Sequence, residues 1–483
     1  MRDPEQQRSE RPQPAWSAAL HAAVVFGMLC RLSQYAAHTS LWHDEAFVAL
    51  NVLHKSYAGL LGPLDWQEAA PPGFLLLEKC VVDLLGRSEY ALRLVPVLAG
   101  LTGMICFAAL ARAVCSPGAA AFWAVALMAA SDKLIVQSNE TKQFTLDLLL
   151  AVLLSQLALH SYYQRRATRA LLAWGAVGAC GVWVSFASCF VFAGTSLVLA
   201  PRVLRGWRWS ERAAYVIANL TALASFGLVA SSITAQLSGG LLSFWARSLP
   251  DTSSTLALLY WLARSFLGLF NYFWQPLGAA LIALAVLGGT GVWHHARRVE
   301  LGVLTLPVLL ALVASLLHRW PFGGNQHMVF AAPAVLVLVG EGMESMRGRL
   351  TQWHRWAGWA AVTLLLAPGV GSAMYHIVVP RQRHEVRPVI EFVQQHRALG
   401  DQLLVLCPAE FEFYTGRDQR GALEEPNPSA RIWFIATGAV GGTFPRQDLL
   451  NRLSARRVRL LAIEEYGAAA YLFAPEDAPA IVP

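Results

Sequence analysis

Long apolar runs follow one another through most of the chain, and polar stretches separate them. A membrane-spanning helix needs about 20 mostly apolar residues, roughly 17–25, and about eleven runs approach that length. They lie at 16–37, 90–113, 117–135, 142–161, 169–184, 185–201, 213–233, 276–294, 301–318, 327–345 and 356–378. The fifth and sixth runs are short and meet near Val184-Ser185, which predicts a tight turn between them. The pattern predicts a mainly α, polytopic membrane helical bundle of about 11 spans.

Arginine-rich connections alternate with connections that carry little positive charge. The arginine-rich ones are the N-terminal segment 1–15 and those containing residues 112, 165–169, 202–212, 297–298 and 347–355. Because positive loops stay on the cytoplasmic side, the N-terminus is predicted inside and, with an odd number of spans, the C-terminus outside. A twelfth span at 254–274 would break this alternation. Its aromatic residues and isolated Arg264 favour a helix lying along the membrane interface.

The first predicted outer loop, 38–89, is long and half apolar. It contains a Pro-Pro pair followed by an apolar helix of about 13 residues, which is too short to cross a membrane. This helix is therefore predicted to lie at the interface. The charged residues around it, Glu68, Glu78 and Lys79, are candidates to face a site, but surface placement is favoured.

The tail from 380 to 483 changes character, because its charge rises and its apolar runs shorten. The pattern predicts helix 385–399, strand 402–407, a turn, strand 430–436, helix 446–456, and strands 457–463 and 469–474. Alternating helices and short apolar strands are typical of an α/β domain. We therefore predict a small extracytoplasmic α/β domain after a transmembrane domain that covers 16–379.

Composition narrows the classes of function. Of the 483 residues, 55% are hydrophobic and 14% are charged, whereas an average soluble domain has about 25% charged residues. The net charge is +7, but the arginines flank hydrophobic runs, so membrane orientation explains them and nucleic acid is not predicted as a partner. The seven cysteines include no CxxC pair, which argues against a disulfide framework or a cysteine metal site.

The sequence LWHDEA, 41–46, directly follows the first span on the predicted outer side. Adjacent carboxylates repel each other, and such pairs serve as a general base or bind a cation. The alternative is a solvated helix N-terminus, where the helix dipole favours acids. We predict Asp44 as the catalytic carboxylate and Glu45 as its supporting partner. If a divalent cation binds, these two acids are its predicted ligands.

Two more polar segments fall on the same predicted side. In SNETKQFTLD, 138–147, Lys142 is a candidate phosphate contact or a snorkelling lysine paired with Glu140. Asp147 lies about one turn deeper and needs a partner inside the bundle. HRWPFGGNQHM, 318–328, predicts a tight turn whose backbone amides approach an anion, or an ordinary hairpin with snorkelling cations.

These segments resemble motifs of the GT-C class of polytopic glycosyltransferases, in the branch related to protein O-mannosyltransferases and the lipid A aminoarabinose transferase (family 39/83-like). Four features match in order: the Asp44-Glu45 pair, PPGFLLL with LGRSEYALRLVPVLAG (85–100), SNETKQFTLD, and PFGGNQHMVFAAP (321–333). The resemblance covers about 1–380. Gln326 stands where many relatives have arginine, and Lys142 and Phe144 replace the commoner arginine and tyrosine.

The resemblance implies transfer of a sugar from a polyprenyl-phosphate-linked donor to a lipid, glycan or protein acceptor. The reaction is expected at the outer face of the bacterial cytoplasmic membrane, as a single displacement assisted by a carboxylate. The implied donor-phosphate contacts are Lys142, Arg319, Gln326 and His327, and the implied supporting residues are His43, Arg93, Glu140 and Arg264.

Two other functions are left open by the sequence. One is a transporter or flippase of lipid-linked sugars, which would carry charges or broken helices near the membrane midplane. In this chain the conspicuous charges gather at one predicted face, which favours an enzyme. The other is a non-catalytic partner that keeps the same fold in envelope glycan assembly, and Gln326 is the feature that supports it.

Overall fold

The structure, a computed structural model, describes residues 14–236, 245–246, 248–419, 427, 429–438 and 447–475. The predicted cytoplasmic segment 1–15 therefore lies, up to residue 13, outside the described residues. Most of the described chain is helical, and one small sheet follows near the C-terminus. The predicted fold class, a mainly α bundle with a C-terminal α/β unit, is confirmed.

The described residues before the tail form fifteen helices. They are α1 Pro14–Ala36, α2 His43–His54, α3 Pro72–Leu85, α4 Glu89–Val114, α5 Ala120–Ala130, α6 Asp132–Gln137, α7 Phe144–Tyr163, α8 Thr168–Val184, α9 Ser188–Arg205, α10 Trp209–Gln236, α11 Thr255–Phe273, α12 Gly278–His294, α13 Arg298–Leu316, α14 Ala332–Trp353 and α15 Ala357–Val378. Short 3₁₀ turns occupy Gly59–Leu61 and Gln326–Ala331.

Nine helices in the described part of the chain are long and apolar enough to cross a membrane, judged by length and composition. Eight of them coincide with predicted runs, and three further runs correspond to the shorter apolar helices α5, α8 and α12. The ninth is α11, which was predicted along the interface. Its length and hydropathy also meet the requirements of a span, so the twelfth-span alternative stays open.

Serines lie at two breaks between helices, one inside a predicted run and one between two runs. The run 117–135 breaks at Ser131, whose hydroxyl donates to the carbonyl of Phe273 at 2.9 Å, and α6 begins at the next residue. The predicted turn at Val184-Ser185 is confirmed, since Ser185 Oγ accepts the backbone N–H of Ser188, the first residue of α9. Serine side chains bond nearby backbone groups and so favour helix ends over helix interiors.

By internal contacts the chain divides into two compact units. The bundle unit comprises the segment ending at Ala36, Tyr57–Cys80 and Arg93–Val379. The tail unit comprises Ala37–Ser56, Val81–Leu92 and the chain from Pro380. The first predicted outer loop is therefore shared, because its two ends belong to the tail unit and its middle belongs to the bundle unit.

The tail unit contains three more helices and a four-stranded sheet. They are α16 Val386–His396, β1 Gln402–Val405, α17 Pro408–Thr415, β2 Ile432–Thr437, α18 Gln447–Arg456, β3 Val458–Glu465 and β4 Ala468–Ala474. The strand order is β1-β2-β4-β3, with β1 and β2 parallel and the other pairs antiparallel. Helix α16 covers one face of the sheet and α18 covers the other. The elements match those predicted from the sequence, except that α17 was predicted as a turn.

Helices of the bundle unit approach closely where glycines face each other. A Cβ added at Gly288 of α12 would lie 2.8 Å from the backbone nitrogen of Gly342 in α14. A Cβ added at Gly342 would lie 2.6 Å from the carbonyl carbon of Leu284. Small residues at helix crossings let backbones pack directly, which is how membrane helices associate without a hydrophobic driving force.

We expect Gly342→Ala to destabilise the protein by about 1–3 kcal/mol, because the added methyl group has no space at this crossing. Gly348→Ala is the matched control, since Gly348 lies in the same helix and an added Cβ would meet nothing within 4 Å. That control should be neutral or slightly stabilising. Thermal unfolding in detergent measures both, and equal melting temperatures for the two variants would contradict the packing described.

Candidate functional site

The predicted Asp-Glu pair lies at the start of α2, in the tail unit. The backbone N–H of Trp42, the N-cap residue, donates to Glu45 Oε2 at 3.4 Å, and Glu45 is buried. Asp44 keeps 29% of its side chain exposed, and its Oδ1 lies 3.3 Å from His43 Nε2. The two acids thus differ in role, because Glu45 caps the helix while Asp44 presents a carboxylate that another molecule can reach.

A buried ionic cluster ties the ends of the first outer loop to the start of the tail. Glu89, the first residue of α4, accepts from Arg387 Nη1 at 2.8 Å, from the Tyr414 hydroxyl at 3.0 Å, and lies 3.1 Å from His38 Nε2. The hydroxyl of Ser40 donates to Glu385 at 2.8 Å. These contacts were not predicted from the sequence. The only signal was Glu89 itself, in the LGRSEY segment that carries the family resemblance.

Lys142 lies in the bundle unit, just before α7, and is almost completely buried. Its Nζ lies 2.7 Å from Glu68 Oε2. This ion pair, which the sequence did not predict, reaches a segment more than seventy positions earlier. The prediction of surface placement is wrong for Glu78, whose side chain is fully buried in α3. Lys79, by contrast, is partly exposed.

Asp147 is buried in the first turn of α7, and its Oδ1 accepts no hydrogen bond from the described residues. Ser185, in the turn between α8 and α9, is a polar group beside it. The expected internal partner of Asp147 is therefore not established among the described residues.

The predicted turn at 318–328 is present and packs tightly. Gly323 has a φ of +126°, which favours glycine, and a Cβ added at Gly324 would lie 2.6 Å from the carbonyl oxygen of Gly268 in α11. The side chain of Asn325 accepts the backbone N–H of His327 at 3.0 Å and so caps the 3₁₀ turn that follows. Both observations fix the backbone of the hairpin.

His327 points into an aromatic cluster. Its ring makes edge contacts with the rings of Phe144, Trp245 and Trp320, with centroids 5.5–5.8 Å apart. Phe144 opens α7 two residues after Lys142, so the hairpin packs against the segment that carries Lys142. Whether they share a site with Asp44 stays a prediction.

The remaining predicted site residues are placed as follows. Arg319 and Arg264 are exposed, Gln326 is partly exposed, and Arg93 and Glu140 are buried.

The described residues contain one group of three side chains placed closely enough to ligate a metal ion. It consists of His43, His384 and Glu410, and not of the predicted pair Asp44 and Glu45.

Solved structures share this architecture. ArnT from Cupriavidus metallidurans, solved bound to undecaprenyl phosphate, matches with a TM-score of 0.51 at 14% identity, over 95% of this chain and 98% of that one. The oligosaccharyltransferase of Archaeoglobus fulgidus, solved in complex with Zn and sulfate, matches with a TM-score of 0.50 at 12% identity, over 83% and 61%. This chain has the GT-C glycosyltransferase fold.

The family comparison agrees with that fold. Residues 69–231 match the family model of dolichyl-phosphate-mannose-protein mannosyltransferase. That segment includes two of the four matching features but neither Asp44 nor the hairpin at 321–333. No curated protein sequence matches the chain. This chain spans 61% of the length of the archaeal oligosaccharyltransferase. The likeness therefore supports a shared fold and not a shared activity.

We expect the buried Lys142–Glu68 pair to show strong coupling. Glu68→Gln should destabilise the protein by about 3–5 kcal/mol, because it leaves the lysine charge buried without this partner. The double variant Glu68→Gln, Lys142→Met should recover part of that loss. Thermal unfolding in detergent measures the cycle.

The exposed pair Asp448–Arg452 in α18 is the control for this cycle. Its removal by Asp448→Asn should change stability by less than about 1 kcal/mol, since water already screens both charges. Without coupling, the double variant would be less stable than Glu68→Gln by the whole effect of Lys142→Met alone. That result would refute the coupling.

Proposed function

We propose that this chain is a membrane glycosyltransferase that moves a sugar from a polyprenyl-phosphate-linked donor to an acceptor at the extracytoplasmic face. The observation that carries the proposal is the match with ArnT, which extends over 95% of this chain and whose solved structure holds undecaprenyl phosphate. Since one fold hosts several functions, the chemistry has to come from the site residues.

Asp44 is the proposed catalytic carboxylate. It accepts the proton of the acceptor hydroxyl while the hydroxyl oxygen attacks the anomeric carbon of the sugar, and the bond from that carbon to the phosphate oxygen breaks. The polyprenyl phosphate leaves with the bonding electrons, and the sugar is inverted at the anomeric centre. The partial exposure of Asp44 and its place on a capped helix support this role, because a base has to be reachable and fixed.

The leaving phosphate needs cationic or N–H groups. Lys142, Arg319, Gln326 and His327 are the proposed contacts, and the packing of His327 against Phe144 supports grouping two of their segments. The carboxylate of Glu68 offsets the charge of Lys142, so we propose that a donor phosphate competes with Glu68 for that ammonium group. Glutamine at 326 supplies hydrogen bonds without charge.

We further propose that the enzyme resides in the bacterial cytoplasmic membrane, with the N-terminus inside and both the loop 38–89 and the tail outside. The alternation of arginine-rich connections supports this orientation. The acceptor is a lipid, glycan or protein that carries a hydroxyl group.

Replacement of the proposed base should abolish transfer. Asp44→Asn is nearly isosteric, so folding should be kept while the rate falls on the order of 10²–10⁴-fold. The measurement is transfer from a radiolabelled polyprenyl-phosphate sugar by purified protein. Asp83→Asn is the matched control, because Asp83 is an exposed acid in the same unit, and it should retain activity. Near-normal transfer by a folded Asp44→Asn protein would remove Asp44 from the mechanism.

Orientation is tested separately. Reporter fusions placed after residue 380 should behave as extracytoplasmic, and fusions near 165–169 or 202–212 should behave as cytoplasmic, because the arginine bias fixes both sides. A cytoplasmic signal after residue 380 would overturn the topology and with it the proposed side of the reaction.

A further inference from the structure

Three metal-binding side chains meet within the tail unit. His43 is the first residue of α2, His384 lies two residues before α16, and Glu410 lies in the first turn of α17. One ligand atom from each lies within 4.8 Å of the other two. The three residues come from segments that are far apart in the sequence, so the fold itself assembles the group.

Two of these side chains are buried with a polar atom that lacks a partner. His384 is 9% exposed and Glu410 is 1% exposed. Among the residues that the structure describes, His384 Nε2 and Glu410 Oε1 have no hydrogen-bond partner. A buried polar atom without a partner costs free energy, and the great majority of such atoms in proteins are satisfied. Two of them in one group of three therefore indicate a ligand that the protein alone does not supply.

The chemistry of the group suits a transition metal. Burial, with His43 and Arg383 nearby, lowers the pKa of His384 to about 4, so its imidazole is neutral at pH 7 and able to ligate. Burial raises the pKa of Glu410 to about 7, and a bound cation would favour its carboxylate form. Two imidazoles and one carboxylate form a ligand set that zinc uses, whereas calcium and magnesium prefer oxygen ligands alone.

We propose that His43, His384 and Glu410 bind a divalent transition-metal ion, with zinc as the best match to the ligand set. Zinc–nitrogen bonds of about 2.0–2.1 Å place tetrahedral ligand atoms about 3.3 Å apart. Side-chain rotation has to close the present separations to that value. His43 is the ligand best able to move, since 48% of its side chain is exposed.

The metal would hold Asp44 in place without touching the substrate. Asp44 follows His43 directly, and its Oδ1 lies 3.3 Å from His43 Nε2. A metal bound to His43 would therefore fix the start of α2 relative to α16 and α17. The contact with Asp44 would in turn orient the ligating ring of His43. This inference does not depend on the proposed glycosyl transfer, because metal binding is measured without any substrate.

The experiment uses the full-length protein, purified in detergent, stripped with a chelator and titrated with zinc. We expect about one zinc per chain, set by the three-ligand site, and a rise in melting temperature with zinc but not with magnesium. Loss of an outer-shell contact weakens metal binding by about 10–100-fold, and loss of a direct ligand should weaken it more. We therefore expect zinc binding to fall by more than about 100-fold in each of three variants: His43→Ala, His384→Ala and Glu410→Gln. His396→Ala is the control, because His396 is an exposed histidine of the same unit, and it should bind as the unchanged protein does.

Failure of the unchanged protein to bind micromolar zinc would overturn the proposal, and so would equal binding by His43→Ala. His43→Ala removes a half-exposed ring at a helix start, so it should fold even if the two buried variants do not. A second test replaces zinc with cobalt, whose absorption spectrum reports the ligand atoms. Cys407, the buried residue directly before α17, lies close to Glu410 and is the other candidate ligand. Nitrogen and oxygen ligands give cobalt visible bands without a thiolate charge-transfer band. The appearance of such a charge-transfer band would assign Cys407 as a ligand and refute the proposed set.

Discussion

Each charge or polar group that this chain buries needs an ion pair or a hydrogen bond inside the fold. That requirement determines which distant segments come into contact. In an apolar bundle no water is available to solvate them. Lys142 therefore pairs with Glu68, which brings the middle of the first outer loop to the start of α7. The hydroxyl of Ser131 donates to the carbonyl of Phe273, which fixes the break before α6 to the end of α11. Apolar packing fills the space between helices, but these bonds determine which ends meet.

The same requirement organises the tail unit, although the unit is rich in charge. Glu89 and Arg387 stand almost three hundred positions apart and form a 2.8 Å ion pair. Glu385 accepts from Ser40 beside it. The sheet and its helices form a core by apolar burial, and the ionic contacts then attach both ends of the outer loop to the beginning of α16. The helix that carries Asp44 is thus held by a folded unit and not by a free loop.

Sequence reasoning succeeded where a pattern is local and failed where the partner is distant. The spans and most tail elements follow from runs of apolar residues, which any stretch of about 20 residues reveals. The pairing of Lys142 with Glu68 was not predicted, because more than seventy positions separate the two residues and no local pattern connects them. Helix α17 was missed because it is only eight residues long, with two acids and no apolar periodicity, and Glu410 went unnoticed with it.

The adjacent acids at the start of α2 show how one local motif serves both stability and chemistry. A helix N-terminus stabilises negative charge, so two neighbouring carboxylates coexist there at lower cost than on an isolated loop. Glu45 turns back to the N-cap backbone and is buried, which leaves the more exposed Asp44 beside His43. A lone aspartate at this position would lack the capping contact that sets the helix start. The pair is therefore best understood as one residue that fixes the backbone and one that the fixed backbone presents to an incoming molecule.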